Sequence, residues 1–555
     1  MPVDMKKIIL KHALINALDF NGRANPGSVI GKVIAELPQA KKDMASLGKL
    51  VVTVVNEVNA LSLGQQKTQL EKFGPIKEPK KEEKKKGLPE LEGAKQGKVI
   101  MRMAPNPNGP MHIGHCRMAV LNDEYVKKYK GKLILRFDDT DPKNPNKVPM
   151  KEAYGWMEED MKWLGVKYHK VFRASEHIDS CYKHFENILE KGFAYVCTCG
   201  QEEWSNLVRM GRETCPCRGN SAEENLERWK RMLIGEYKEG QAVGRIKTPQ
   251  DIADPAVLDW VAFRIVDQPQ HPFAADVHVW PMLDFASAMD DKECGVTHIL
   301  RGKDLAVCEA RQRILYKHLG WNYPNTTVYG KFITTDDMVI SKSKIMEGMK
   351  KGLYTGWDDP RLMLLRSLRK RGIQAQAIRN YILDLGISES ETTVDLNILY
   401  TANREIIDKK ANRYFLVVEP VEITLDNVPV KVVKAPVYPG KKTYRSIPVS
   451  KKVFIEKTDL IANRGKEVRL MHMANFILDT EAKYTGMPVK NTPKIHWVGQ
   501  KNVPVEVVTQ QAKKVQGLAE PDIVKAKVDD LVQFERISFA RCDSVKPLVF
   551  YLAHK

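Results

Sequence analysis

The sequence predicts a multidomain chain of α/β plus β class. A parallel α/β domain is interrupted by an insertion, a small helical appendage precedes it, and a helical region and β-barrels follow. Three observations carry this reading. Strand-like and helix-like stretches alternate from residue 98 to about 172, as in a parallel sheet covered by helices. That pattern stops and resumes near Trp280, so the α/β domain is split. Beyond about residue 410 the texture becomes short alternating runs (YFLVVE, VEITL, VKVVK) punctuated by Pro and Gly. At 555 residues the chain is too long for one core, and length alone suggests roughly three or four domains.

Residues 1–74 read as a helical appendage. Met5, Ile8, Ile9, Ala13, Leu14, Ala17 and Leu18 recur at helical spacing, and so do Leu47, Leu50, Val51, Val54, Val55, Val58 and Leu61. Asn21-Gly22 and Pro26-Gly27 are expected to break the chain between them. Residues 75–97 read as a charged linker, because KEPKKEEKKK has nothing apolar to bury.

The first half of the split domain, residues 98–172, opens with VIMRMAPNPNGPMHIGHCR, Val99 to Arg117. A short buried strand runs into a Pro/Asn/Gly loop, and a helix starts near Ile113. The free N–H groups of a helix start favour anions. Gly109 and Gly114 let a ligand approach the backbone, and His112 and His115 can donate hydrogen bonds to a phosphoryl group, so the stretch reads as a nucleotide cradle. A second strand, Lys132 to Phe137, ends in LRFDDTDP, whose three Asp residues serve either as turn formers or as groups facing the cradle.

The insertion, residues 173–279, carries CTCGQEEWSNLVRMGRETCPC. Cys197, Cys199, Cys215 and Cys217 form two CxC pairs, and four thiolates can close a tetrahedral site that selects Zn²⁺. The other five of the nine Cys (Cys116, Cys181, Cys294, Cys308, Cys542) read as packing residues, and no disulfide framework is expected. Residues 280–345 resume the sheet with WPMLDFASAMDD and GVTHILRGKD and end in MVISKSK, Met338 to Lys344. Residues 346–400 are helical and basic, with Arg361, Arg366, Arg369, Lys370, Arg371 and Arg379, and residues 401–555 form the barrels.

The totals agree with a polyanion as partner. There are 88 Lys and Arg against 69 Asp and Glu, a net charge of +19, and nucleic acid accounts for that surplus better than solubility does. No apolar run nears the length of a membrane span, and MPVDMKKIILKH lacks a signal-peptide cleavage site, so a soluble, cytoplasmic protein with no membrane partner is expected.

Following RMAPNPNG, the HIGH run (His112 to His115) resembles the element of that name in class I aminoacyl-tRNA synthetases, specifically the glutamyl and glutaminyl branch. MVISKSK resembles the family's KMSKS loop, with Val339 in the place of its first Lys, Lys342 at the second and Lys344 as an extra or alternative charge. GLYTGWDDPRL, ANREIIDKKANRYF and VQFERISFAR resemble the archaeal and eukaryotic-type glutamyl enzymes, whose anticodon-binding domains are β-barrels. The resemblance implies a split Rossmann-like catalytic domain, an inserted zinc-containing acceptor-binding region and a helical stem-contact region. It also implies ATP, Mg²⁺ and structural Zn²⁺ as cofactors, and tRNA(Glu), with tRNA(Gln) as a further candidate, and L-glutamate as partners.

Residue by residue, the resemblance places His112, His115, Lys342 and Lys344 in catalysis. It places Pro105, Gly109, His112, Gly114, His115, Ile340, Ser341 and Lys342 at ATP, and Arg102, Asp138, Leu283 and Arg301 at the amino acid. Arg301 stands where glutaminyl enzymes carry a small uncharged residue, and a guanidinium there favours a carboxylate over an amide. Val328 is apolar where glutaminyl enzymes tend to be polar, and Leu283 stands where many relatives have Tyr. The implied reaction is ligation of glutamate to tRNA through a glutamyl adenylate. The rivals are a glutaminyl enzyme, an inactive RNA-binding scaffold of the same fold, and a tRNA-modifying glutamyl transferase, which would normally lack the barrels.

Overall fold

The computed structural model describes residues 3–19, 22–73, 87–333, 338–438, 440 and 442–555. The chain divides into two units, Met1–Lys86 and Gly87–Lys555.

The first unit is helical, with helices Val3–Asp19, Pro26–Glu36, Met44–Asn59 and Leu63–Glu71. Its core is built from the two apolar stripes, including Ile9, Leu14, Val51 and Val55. Pro26-Gly27, expected to break the chain, instead opens a helix. The Asn25 side chain accepts from the N–H groups of Gly27 and Ser28, and Pro26 sits in the first turn, where its missing N–H costs nothing. Among the described residues no single helix is long and apolar enough to cross a membrane.

In the second unit, residues 87–97 are not the tether that was expected. Leu91 is buried in the α/β core, its N–H donates to Tyr129 Oη (3.0 Å), and the Glu92 carbonyl accepts from His298 Nε2 (3.0 Å). The remainder of that predicted linker, residues 75–86, lies outside the described residues.

The α/β sheet has two parallel parts. Ile100–Met103, Lys132–Phe137 and Lys170–Arg173 form one, and His298–Gly302 with Asn325–Tyr329 forms the other. They meet where Ile100 N donates to Thr297 Oγ1 (2.9 Å) and Thr297 N to the Ile100 carbonyl (2.9 Å). From Ile100–Met103 the chain therefore winds first to one side and later to the other. The crevice at the carboxyl ends of Ile100–Met103 and His298–Gly302 is the place where such sheets hold ligands.

The insertion supplies an antiparallel four-stranded sheet, Ala194–Cys197, Val243–Ile246, Val261–Ile265 and Val279–Pro281, packed around Phe185, Trp229 and Phe263. The helices Leu365–Lys370, Ala375–Leu385 and Leu396–Ile407 follow, in a region where some of the basic residues turn inward. Arg371 and Arg379 are buried, and Arg379 bonds Asp123 (2.6 Å) and the Leu164 carbonyl (3.1 Å) on neighbouring elements.

Beyond them lie two seven-stranded sheets. In one, the edge strands Asn412–Tyr414 and Leu416–Val418 are separated in sequence by Phe415 alone. In the other, the edges Lys494–Ile495 and Val498–Gly499 are separated by His496 and Trp497. Each sheet must curl until its edges nearly meet, which makes both barrel-like and leaves little unpaired edge.

Candidate active site

Strand Ile100–Met103 delivers the chain into the Pro/Asn/Gly loop, and helix Ile113–Lys128 starts at His112. His112 Nδ1 accepts from Gly114 N–H (3.0 Å) while His115 Nδ1 accepts from His112 N–H (3.2 Å). The rings stack with centroids 3.8 Å apart. With both Nδ1 atoms accepting, a neutral ring carries its proton on Nε2. Burial, helped by the Lys342 charge, pushes His112 down to about 3, and burial together with His112 and Lys342 holds His115 well below its usual value. Both are neutral Nε2–H donors at physiological pH. A Cβ on Gly114 would lie 2.8 Å from His112 Cε1, so a larger residue there displaces the His112 ring.

Lys342 opens helix Lys342–Lys350 and closes onto this loop. Its Nζ donates to Asn108 Oδ1 (2.6 Å) and to the Gly109 carbonyl (3.2 Å), and Gly109 (φ 143°) leaves its Cβ position to the Lys342 stem and Trp357. Burial lowers Lys342 to about 7 against the pull of Asp160. Of the two candidate lysines, Lys342 bonds the cradle and Lys344 is exposed. The Pro105 carbonyl accepts from Asp138 N (2.9 Å), which ties the loop to the acidic turn. Ile340 packs on the α/β core, and Ser341 Oγ lies 3.1 Å from Ser343 Oγ.

All four residues expected at the amino acid, Arg102, Asp138, Leu283 and Arg301, line one cavity of about 110 Å³ in the crevice. Arg102 is tied to buried Asp291 (Nε to Oδ1 3.1 Å, Nη2 to Oδ2 3.4 Å). Asp138 accepts from Arg136 (3.0 Å); burial raises its carboxyl above the usual range, with Arg136 opposing. Arg301 is 4% exposed and bonds mainly neutral groups: Gln312 Oε1 (2.7 Å), Tyr323 Oη (2.9 Å) and the Leu305 carbonyl (3.3 Å). Its nearest carboxylate, Glu309, stands 4.0 Å away, and its buried Nε has no hydrogen-bond partner. A cation held this way is fit for a carboxylate brought in from outside. Val328 pairs with Arg301 in the sheet register.

The three Asp residues of the turn divide their work. Asp138 faces the cavity, whereas Asp139 is fully buried and bonds Tyr154 (2.8 Å) and Ser175 (2.8 Å), and Asp141 pairs with Arg264 (2.5 Å). Cys308 also lines the cavity, so its reading as a packing residue is corrected; Cys294 is half-buried, 3.6 Å from Lys170 Nζ.

Sequence reasoning assigned no role to Arg136, Asp160, Asp290 or Asp291. Asp160 accepts from Met111 N–H (3.1 Å) just before His112, and burial raises it to about 7. Asp290 and Asp291 end the quoted run WPMLDFASAMDD, and two adjacent acids at the close of an apolar helix were the available signal.

The four sulfurs of the insertion cluster. Cys197 and Cys215 are 3.7 Å apart, Cys199 and Cys215 3.9 Å, and Cys199 and Cys217 3.8 Å. Four thiolates about 2.3 Å from a central Zn²⁺ have edges of about 3.8 Å, so the spacing fits a tetrahedral site. Arg228 Nη1, 3.5 Å from Cys217 Sγ, suits a thiolate.

Comparison with known proteins agrees with this layout. The family described as tRNA synthetases class I (E and Q), catalytic domain, matches residues 98–410. The anti-codon binding domains of the same family match residues 411–492 and 494–543. The chain is 41% identical over 579 aligned residues to the glutamate–tRNA ligase of Thermococcus kodakarensis, with 100% of each chain covered. It is 42% identical over 578 to that of Pyrococcus abyssi, again covering 100% of each. To that of Archaeoglobus fulgidus it is 42% identical over 546, covering 97% of this chain and 98% of the relative. With one catalytic profile spanning most of its length and relatives matched from end to end, the chain belongs to the class I glutamyl and glutaminyl tRNA synthetase family.

Proposed function

We propose that this chain joins L-glutamate to tRNA(Glu) with ATP, through a glutamyl adenylate. The observation that carries the choice of amino acid is Arg301, a buried guanidinium at the wall of the cavity with no carboxylate in hydrogen-bonding range. In this reading Asp138 takes the substrate ammonium, Arg102 the α-carboxylate, Leu283 packs on the side chain and Arg301 pairs with the γ-carboxylate. An amide there would leave the guanidinium without its counter-charge.

The chemistry asks for positioning and charge stabilisation rather than a protein nucleophile. His112 and His115 offer neutral N–H donors to the phosphate that is attacked, the loop around Pro105, Gly109 and Gly114 admits the nucleotide, and Ile340, Ser341 and Lys342 close over it. Lys342 supplies the charge for the pyrophosphate leaving group. Mg²⁺ enters with the triphosphate, whose oxygens are its natural ligands. The helical region and the barrel-like domains are read as contacting the tRNA stem and anticodon, and the insertion as meeting the acceptor end.

Charging assays with glutamate and glutamine test the assignment. Arg301→Ser is expected to lower kcat/KM for glutamate by on the order of 10²-fold or more and to narrow the preference over glutamine. An unchanged preference overturns it. Assayed alongside, tRNA(Gln) extends the reading if it too receives glutamate. Zn²⁺ in the Cys197, Cys199, Cys215 and Cys217 cluster is tested by metal analysis, with about one Zn²⁺ per chain expected in the wild type and loss in Cys215→Ser.

A further inference from the structure

Behind the cavity, a line of charged groups runs from the amino-acid site to the surface. Asp138, which lines the cavity, accepts from Arg136 Nη1 (3.0 Å), and Arg136 Nε donates to Asp290 Oδ2 (2.5 Å). Asp290 Oδ1 in turn lies 2.6 Å from His177 Nδ1. Arg136 and Asp290 are 1% and 2% exposed, so neither can exchange its partner for solvent. Arg136 Nη2 is buried with no partner, so the orientation of this guanidinium rests on the two carboxylates alone. His177 closes the short helical turn Ala174–His177 and stacks on Phe172 with ring centroids 4.5 Å apart. In the same turn Ser175 holds Asp139, so both consecutive acids of the 138–139 pair are fixed from one segment.

We propose that His177 is a positioning residue for amino-acid binding: by holding Asp290 it fixes the Arg136 guanidinium, which sets the Asp138 carboxylate at the cavity wall. The proposal rests on the reading of Asp138 as the ammonium partner. Because Asp290 accepts the bond, the His177 proton sits on Nδ1, and the contact needs an N–H donor at that position. Glu293 on the same helix as Asp290, and Lys170 on the neighbouring strand, also face His177. The hydrogen bond to Asp290, with the charges of Asp290 and Glu293, holds its pKa above the ordinary histidine value against burial and Lys170. His177, Asp290 and Glu293 ligand atoms all lie within 4.8 Å of one another, but Asp290 already carries the Arg136 cation, so the group acts as an ion-pair network.

Steady-state charging of tRNA(Glu) by the full chain tests this, with KM for glutamate and for ATP measured separately. His177→Phe keeps a ring on Phe172 and removes the donor, and KM for glutamate is expected to rise about tenfold while KM for ATP stays within about twofold. His177→Asn, whose amide nitrogen stands where Nδ1 stands, is expected to restore most of the loss. His177→Gln, one methylene too long, is expected to resemble the Phe variant and replaces it should that protein not fold. An unchanged KM for glutamate, a parallel rise in both KM values, or failure of Asn to rescue overturns the proposal. If the wild type charges another amino acid instead, the functional reading fails, and the same kinetics are then read with the amino acid it does charge.

Discussion

At the scale of single residues, burial moves His112, His115, Asp138, Asp160 and Lys342 off their ordinary values, and Lys342 is the most consequential. Its value of about 7 in the free enzyme means that it is charged below that pH and neutral above it. If the cation is what engages the triphosphate, kcat/KM for ATP falls as pH rises through about 7, because that parameter reports the free enzyme. Lys342→Arg keeps its charge past about pH 9 and is expected to flatten the profile at a lower plateau. Asp160 raises the Lys342 value, so Asp160→Asn is expected to move the break to lower pH. A profile with no break between about pH 6 and about 9 would show that the Lys342 charge is not what ATP binding senses. His112, Lys342 and Arg301 were picked out in the sequence because each lies in a run that resembles a block of the family. Asp160 and Arg136 were not, because burial and a partner far along the chain give them their character, and neither leaves a mark on local sequence.

At the scale of elements, the reading succeeded where the physics is local. The strand, loop and helix from Val99 to Lys128 follow from apolar run, Pro/Gly loop and cap. It went wrong at Pro26, where proline as breaker and proline as helix opener share one dipeptide and only the Asn25 cap decides between them. Basic texture alone does not say which way a side chain turns, and Arg371 and Arg379 turn inward. Gly114 shows how tightly the helix start is specified. Elsewhere in a helix Ala in place of Gly stabilises by about 1 kcal/mol, but here the new Cβ would meet the His112 ring at 2.8 Å and push it off its cap. Gly114→Ala is expected to cost on the order of 10²-fold in kcat with KM for glutamate little changed, measured by charging kinetics beside a thermal melt. Full activity in that variant would mean that the His112 ring position is not needed.

At the scale of the whole molecule, the last residues of the chain join a barrel-like sheet to the helical region before it. Arg371 Nη2 donates to the Tyr400 hydroxyl (2.6 Å) and the Ala553 carbonyl (2.9 Å), and Tyr400 stacks on His554 at 5.1 Å. Asn403 Oδ1 accepts from Gln374 N–H (2.8 Å), so its Nδ2 is the donor toward His554 Nε2 (2.9 Å), while His554 Nδ1 lies 3.0 Å from the Lys555 carbonyl. The ring is therefore needed neutral, with Nε2 as acceptor. Burial lowers it to about 4, below the ordinary value of 6.5. The unfolded chain binds the proton first, so this contact is fully stabilising above about pH 6.5 and is lost as pH falls through about 4. His554→Gln cannot titrate there. Denaturant unfolding of the two proteins is expected to show the wild type losing about 1–3 kcal/mol more than the variant between about pH 7 and about pH 4. Parallel losses would mean that the C-terminal contact does not depend on a neutral His554.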